Sequence, residues 1–218
     1  GRRSNIVFDI YQENQGEKVT ITLTLLSNTG RAFEGLLHLY VGDSFYKNAT
    51  IFNNQATFEL YNLSANTYPV TARFDGDNYH FEARNNTYFV VELRNNSMNI
   101  IVKDIYLGQN QTIVVNTTGN GTVLIILSNG KSKEVKVING TATWENITDL
   151  KTGDYNITAI YLKDSYYQMN YTTGNFTVHK LNTTIDATPT NIKFGDNEII
   201  TVNVNENATG FVKITITT

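Results

Sequence analysis

Hydrophobic and polar positions alternate along most of this chain. Val19, Ile21, Leu23 and Leu25 alternate with threonines, and Leu37, Leu39 and Val41 follow the same rhythm. Tyr68, Val70, Ala72 and Phe74 do so again. A period of two places every second side chain on one face of a strand, so each run predicts a half-buried β-strand. Further along, Ile113 and Val115, then Val123, Ile125 and Leu127, then Tyr155, Ile157, Ala159 and Tyr161 repeat the series. Thr, Val, Ile, Tyr and Phe dominate these runs, as a pleated surface favours. No stretch has the spacing of an amphipathic helix.

The strands repeat as a set. Tyr68-Pro69-Val70-Thr71-Ala72-Arg73-Phe74-Asp75-Gly76-Asp77-Asn78-Tyr79 returns 87 residues later as Tyr155-Asn156-Ile157-Thr158-Ala159-Ile160-Tyr161-Leu162-Lys163-Asp164-Ser165-Tyr166. The match extends from Leu63/Leu150 to Phe89/Phe176 and Val91/Val178. Ala56-Thr57-Phe58 matches Ala142-Thr143-Trp144 at a spacing of 86, so one residue is gained in the second copy before the next strand. Tandem all-β modules follow, each long enough for an immunoglobulin-like β-sandwich. The implied division is 1–94, 95–180 and a partial third repeat over 181–218. In that third copy Ile200, Val202 and Val204 form one expected strand and Thr209 to Ile216 another. Two readings of the unfinished repeat stay open: a cut through a longer array, or strands that complete a neighbour by exchange.

Turn chemistry sharpens the outline. Asn129-Gly130 between two alternating runs predicts a hairpin in which both residues tolerate positive φ, and Asn139-Gly140 marks the next turn. Leu150-Lys151-Thr152-Gly153-Asp154-Tyr155 has the form of a tyrosine corner, with the Tyr155 hydroxyl bonding backbone a few residues upstream. Tyr68 stands in the equivalent place, after a turn with Asn66 where the second copy has Gly153. The joins at Arg94-Asn95-Asn96-Ser97 and Lys180-Leu181 are short, which predicts a semi-rigid rod.

Composition narrows the chemistry. The chain has 218 residues, no cysteine and a net charge of −3, with only 17% charged residues. Disulfides and thiolate metal sites are therefore excluded. The absence of a basic run argues against nucleic acid as a partner. No apolar run reaches the roughly 18 residues that span a membrane, and Gly1-Arg2-Arg3-Ser4 does not read as a signal peptide, so a mature protein or an excised fragment is expected.

Several motifs resemble the adhesin-like cell-surface proteins of methanogenic archaea. They are Thr188-Pro189-Thr190-Asn191-Ile192-Lys193-Phe194-Gly195-Asp196, Asn139-Gly140-Thr141-Ala142-Thr143-Trp144, Leu150 to Tyr155, and Gly76-Asp77-Asn78-Tyr79. The resemblance covers the second and third copies and, in the first, only the part from about Phe58 onward. It implies immunoglobulin-like repeats on an extracellular, cell-surface or cell-wall-attached protein that contacts other cell surfaces, proteins or glycans. It does not identify the ligand, and no cofactor is expected.

Asn-x-Ser/Thr tripeptides are dense. Asn120, Asn139, Asn48, Asn85 and Asn207 are candidate acceptors of N-linked sugar, and Asn62 opens another tripeptide. The same tripeptides arise by chance in an Asn- and Thr-rich chain. Asn156 and Asn175 fall inside expected strands and are poorer acceptors. Asp75, Asp77 and Glu82 could form a calcium site. Only Asp77 has a carboxylate counterpart, Asp164, and turn capping by that pair is the better reading. A Lys18–Asn86 isopeptide requires the two side chains to be buried side by side. Asp9, Glu13, Glu17 and Glu34 read as solvated acids, and His38, His80 and His179 have no metal-ligand spacing. Tyr161, Tyr166, Tyr167 and Tyr171 crowd one end of the second copy, as core and inter-module packing or as a binding surface.

The leading expectation is a non-enzymatic adhesin stalk or adhesive module. The alternatives are a filament or surface-layer subunit that exchanges strands, and a carbohydrate-binding module with a flat aromatic platform.

Overall fold

A computed structural model of the chain describes residues 3–217, so the reading of the first two residues lies outside them. The described residues form strands and turns with no helix. The first module comprises β1 (Asn5–Glu13), β2 (Lys18–Leu26), β3 (Leu36–Val41), β4 (Phe45–Thr50), β5 (Gln55–Tyr61), β6 (Asn66–Phe74) and β7 (Ala83–Val91). Its sheets run β1-β2-β5 and β4-β3-β6-β7, with every pairing antiparallel. The second comprises β8 (Met98–Ile101), β9 (Ile105–Tyr106), β10 (Gln111–Thr117), β11 (Thr122–Leu127), β12 (Ser132–Lys136), β13 (Thr141–Ile147), β14 (Gly153–Tyr161) and β15 (Asn170–His179). Its sheets run β8-β10-β13 and β12-β11-β14-β15-β9, where β9 joins β15 in parallel. The protein is all-β, built of immunoglobulin-like sandwiches.

Alternation decides which side chains meet between the sheets. Ile21, Leu23, Leu37 and Leu39 are fully buried in one cluster, together with Phe58, Phe74 and Phe89. Ile113, Val115, Ile125, Ile157, Tyr161 and Phe176 form a second cluster with Trp144. The two cores share no residue. Burying a Leu, Ile or Phe side chain contributes about 1.5–3 kcal/mol, so each cluster can hold its own sandwich against chain entropy.

The corners are alike. The Tyr68 hydroxyl donates to the Ser64 carbonyl at 2.8 Å, and the Tyr155 hydroxyl to the Lys151 carbonyl at 2.9 Å. Each ring stacks on its cross-strand neighbour, Phe89 or Phe176, at 5.2 and 5.0 Å between centroids. The extra residue of the second copy also has a place. In the first module β2 and β5 pair without interruption from Lys18↔Tyr61 to Thr24↔Gln55. In the second the register slips between Gln111↔Ile147 and Ile113↔Trp144, and Asn146 takes φ 55°. A β-bulge absorbs one residue in this way without turning the inward face outward.

Three sequence expectations change. Asn139 and Gly140 both have positive φ (50° and 78°), but at Asn129-Gly130 only Gly130 does. There Gly130 N–H donates to Leu127 O, and Leu127 N–H to Lys131 O. The loop thus has three residues, and only its glycine must be left-handed. Asn66 is not left-handed either. Gly153, its counterpart, does take positive φ (140°), and both copies take it earlier in the turn as well, at Asn62 (53°) and Asp149 (57°). Among the described residues the third copy holds only β16 (Ile185–Thr188) and β17 (Thr201–Val204), paired as a hairpin. Residues 209–216 form no strand, and Phe194 and Phe211 are fully exposed. The matching strand β11 lies between β12 and β14, and the third copy offers no such neighbours. Without a ladder partner an extended segment leaves its N–H and C=O groups to water.

Trp144 is the only tryptophan and belongs to the second core. Ile125→Ala should therefore lower the stability reported by tryptophan fluorescence in urea by about 2–5 kcal/mol. Leu39→Ala, in the other core, should leave that transition within about 0.5 kcal/mol of wild type.

Candidate functional site

Two regions bring side chains together beyond what the cores need. The first is the joint between the modules. Arg94, in the linker, bonds by its backbone to the loop of the second module that faces the first: Arg94 N–H donates to Tyr166 O at 2.8 Å, and Gln168 N–H to Arg94 O at 2.9 Å. Ala65 N–H of the first module donates to Ser165 O at 2.8 Å. The Arg94 guanidinium lies 5.8 and 5.7 Å from the ring centres of Tyr166 and Tyr167. Its Nε donates to Gln15 O, and Nη1 lies 3.9 Å from Glu17. One arginine thus touches both modules through cation–π contacts and polar bonds, mostly out of solvent.

The loop that receives Arg94 is held by Asp164. Its Oδ1 accepts the N–H groups of Tyr166 and Tyr167, and its Oδ2 accepts the Tyr161 hydroxyl. Burial pushes the Asp164 pKa up, but these bonds outweigh it and leave it lowered. Burial, then the Asp164 bond, push the Tyr161 phenol above its ordinary value.

Asp77 does the same at the first module, accepting the N–H groups of Tyr79 and His80 on Oδ1. Asp77 and Asp164 thus cap turns, as their shared place in the repeat implied. Around Asp77 the surroundings differ. Its Oδ2 accepts Glu34 N–H, and His80 Nδ1 lies 2.9 Å from Oδ1. His80 Nε2 meets Thr29 Oγ1 at 2.8 Å, and the His80 ring stacks on Phe33 at 3.8 Å. Arg31 lies 4.3 Å over the Tyr79 ring. Residues 27–35, a longer loop than its counterpart, therefore cover in the first module the surface on which the second module receives Arg94. Burial would raise the Asp77 pKa. The bonds from the His80 ring and from Tyr79, Glu34 and His80 N–H groups reverse this, bringing it from 3.8 down to about 2.

The second region is the outer face of the β4-β3-β6-β7 sheet. His38 Nδ1 meets Tyr46 Oη at 2.6 Å, and its Nε2 lies 3.1 Å from Asp75 Oδ2. Asn48 Nδ2 donates to Tyr46 Oη, Arg73 Nε lies 3.1 Å from Asp75 Oδ1, and the Tyr40 and Tyr46 rings are 4.8 Å apart. The equivalent face of the second module carries Leu124, Ile126, Ile160 and Leu162. The first module alone presents a pre-ordered polar and aromatic surface, with both His38 nitrogens engaged.

The other candidates disperse. Asp75 and Asp77 face different partners, and among the described residues no three His, Asp or Glu side chains converge as metal ligands would. Lys18 and Asn86 lie on different sheets, each facing outward. Lys18 pairs with Glu59 and Asn86 accepts from Thr71, so no isopeptide bond can join them. Tyr161 is core, Tyr166 and Tyr167 meet Arg94, and Tyr171 is exposed on β15. Asn120, Asn139, Asn48 and Asn207 are exposed. Asn85 is half-buried, and its Nδ2, the atom a sugar would need, donates to Ile6 O. Arg94 and the His38–Tyr46 pair were missed in the sequence. The available signal was the exchange of His38, Tyr40 and Arg73 for aliphatic residues between copies.

No protein-family model matches the chain, and no curated protein matches it. Among solved structures it is similar to a two-domain fibronectin type III segment of chicken tenascin, at 12% identity over 81% of this chain and 99% of that one, with a TM-score of 0.41. It is also similar to the fibronectin(III)-like modules of Clostridium thermocellum CbhA, at 14% identity over 80% and 95% of the two chains, with a TM-score of 0.31.

Arg94→Ala should speed hydrogen exchange at the Ala65 and Gln168 amides about tenfold while leaving core strand amides unchanged, as measured residue by residue. Because Asp77 is more acidic folded than unfolded, its contribution to stability is complete above about pH 4. It is lost as pH falls from 3.8 toward about 2. Asp77→Asn should accordingly destabilise the first module at pH 6, and the gap from wild type should close by about pH 2 in thermal unfolding followed by tyrosine absorbance.

Proposed function

We propose that this chain is a non-enzymatic part of an extracellular adhesin: a stalk of sandwich modules, 1–94, 95–180 and the start of a third at 181–218, whose first module carries the adhesive face. The observation that carries this reading is the joint. Ala65 N–H of the first module bonds Ser165 O of the second, two more backbone bonds fix the linker residue Arg94 to the second module, and the Arg94 side chain reaches back to Gln15 and Glu17, an arrangement that transmits position and load. The acidic and imidazole groups support the non-enzymatic part. Asp77 and His80, Asp164 and Tyr161, and Asp104 and His179 are paired to one another in roles that hold loops and strands. The Tyr46–Asp75 face, ordered from beneath by the buried His38, suits contact with proteins or glycans on another cell, since tyrosine gives broad contact at little entropic cost. The residues quoted above that resemble archaeal adhesin-like proteins agree with a cell-surface location.

One observation favours a second reading. Phe194, Phe211, Ile199 and Ile216 are exposed in the third copy, a set of apolar side chains that a neighbouring strand would cover. On that reading the chain is a subunit of a filament or surface layer. Light scattering coupled to small-angle X-ray scattering decides between the two. A stalk segment should have the mass of one chain and an extended profile from micromolar to millimolar concentration. Mass growth with concentration, abolished by Phe211→Ser, would replace the stalk with the filament.

A further inference from the structure

The joint encloses a cleft of about 550 Å³, lined by Asn62 of the first module, Arg94 of the linker, and Asn120, Asp164, Tyr166 and Tyr167 of the second. That volume lies in the range of small-molecule sites, roughly 300–1,000 Å³. The two charged groups of the lining differ: both Asp164 oxygens are engaged by Tyr161, Tyr166 and Tyr167, whereas Arg94 Nη2 is buried with no hydrogen-bond partner among the described residues. Beside them stand two tyrosines, which present apolar ring with a polar tip, Ser165 and two primary amides. Uncharged donors and acceptors next to aromatic rings suit a polyhydroxylated ligand.

The two amides are more than lining. Asn62-Leu63-Ser64 and Asn120-Gly121-Thr122 are both acceptor tripeptides, one from each module, and both asparagines are exposed. No hydrogen bond engages the side-chain amide of either among the described residues, whereas those of Asn48, Asn85 and Asn170 donate to Tyr46, Ile6 and Asn96. Both backbones are held. Asn62 N–H donates to Glu17 O, and Leu63 N–H to Gly16 O. Asn120 lies between Gly119 and Gly121, where an added Cβ would come within 2.4 and 2.8 Å of Tyr161. A sugar linked to either Nδ2 starts from a residue that lines the cleft.

We propose that the cleft is a saccharide subsite filled by the chain's own N-linked glycan, on Asn62 or Asn120, which braces the two modules. The inference rests on the extracellular reading above. Attachment is a group transfer from a sugar donor with a phosphate-linked carrier. The bond from the anomeric carbon to the carrier oxygen breaks, the Nδ2–carbon bond forms, the amide gives up one proton, and the carrier leaves as its phosphate. The first sugars then lie against Tyr166 and Tyr167 and shield the bonds made by Ala65, Arg94 and Gln168.

The test uses the whole chain made in a host that N-glycosylates and in one that does not. Glycopeptide mass spectrometry should find sugar at Asn62 or Asn120 as well as at the exposed turn residue Asn139. In the glycosylating host, Asn62→Gln with Asn120→Gln should speed exchange at the Ala65, Arg94 and Gln168 amides about tenfold. Asn139→Gln should not, and in the other host the double variant should match its wild type. Sugar at Asn139 but at neither cleft residue overturns the brace and leaves the surface reading intact. A chain with no sugar anywhere overturns the brace and removes the support that the acceptor tripeptides lend to a surface location. Sugar in the cleft with unchanged exchange also overturns the brace.

Discussion

A carboxylate beyond the end of β6 and its counterpart beyond β14, Asp77 and Asp164, each accept the N–H groups of the residues two and three places on. Those N–H groups sit at the pole of a sandwich, where no neighbouring strand can satisfy them. A short charged acceptor satisfies two at once and fixes the loop that carries them. The Tyr79-His80 and Tyr166-Tyr167 pairs are thereby aimed in the same way in both modules. Everything that happens at the poles depends on this. In the second module the fixed loop offers Tyr166 O and Gln168 N–H to Arg94, and the joint forms there.

The first module uses the same loop differently. Arg31 lies over Tyr79 and Phe33 stacks on His80, so the longer loop of residues 27–35 supplies from within what the second module receives from the linker. The two poles solve one problem, the cover of an aromatic pair beside a capped turn, with different pieces of chain. A parallel divergence marks the outer sheet faces. His38, Tyr40 and Arg73 replace the aliphatic Leu124, Ile126 and Ile160 without disturbing the inward positions, because successive side chains of a strand face opposite ways. A module can change its surface while its core stays the same.

The third copy shows the limit of local pattern. Its sequence alternates as the other two do, yet only β16 and β17 pair. Alternation states which face a strand will bury, not whether anything is there to bury it. The same limit applies to Asn129-Gly130. The dipeptide marked the turn, but the number of loop residues was set by the register of β11 against β12.

What the sequence determined by itself was periodic or local. Alternation located most strands and the core faces, and the repeat showed that two modules share a plan. The change of spacing from 86 to 87 announced an extra residue, which became the bulge at Asn146. The paired aspartates announced the caps. What only the tertiary structure decided was which distant groups met: Arg94 with the tyrosines, residues 27–35 with His80, His38 with Tyr46 and Asp75, and the two acceptor asparagines at one cleft. The physical reason is that hydrogen-bonding need and hydrophobic period belong to each residue and its neighbours in the chain. Contact across a joint depends on how two folded bodies lie against each other, and no local pattern encodes that.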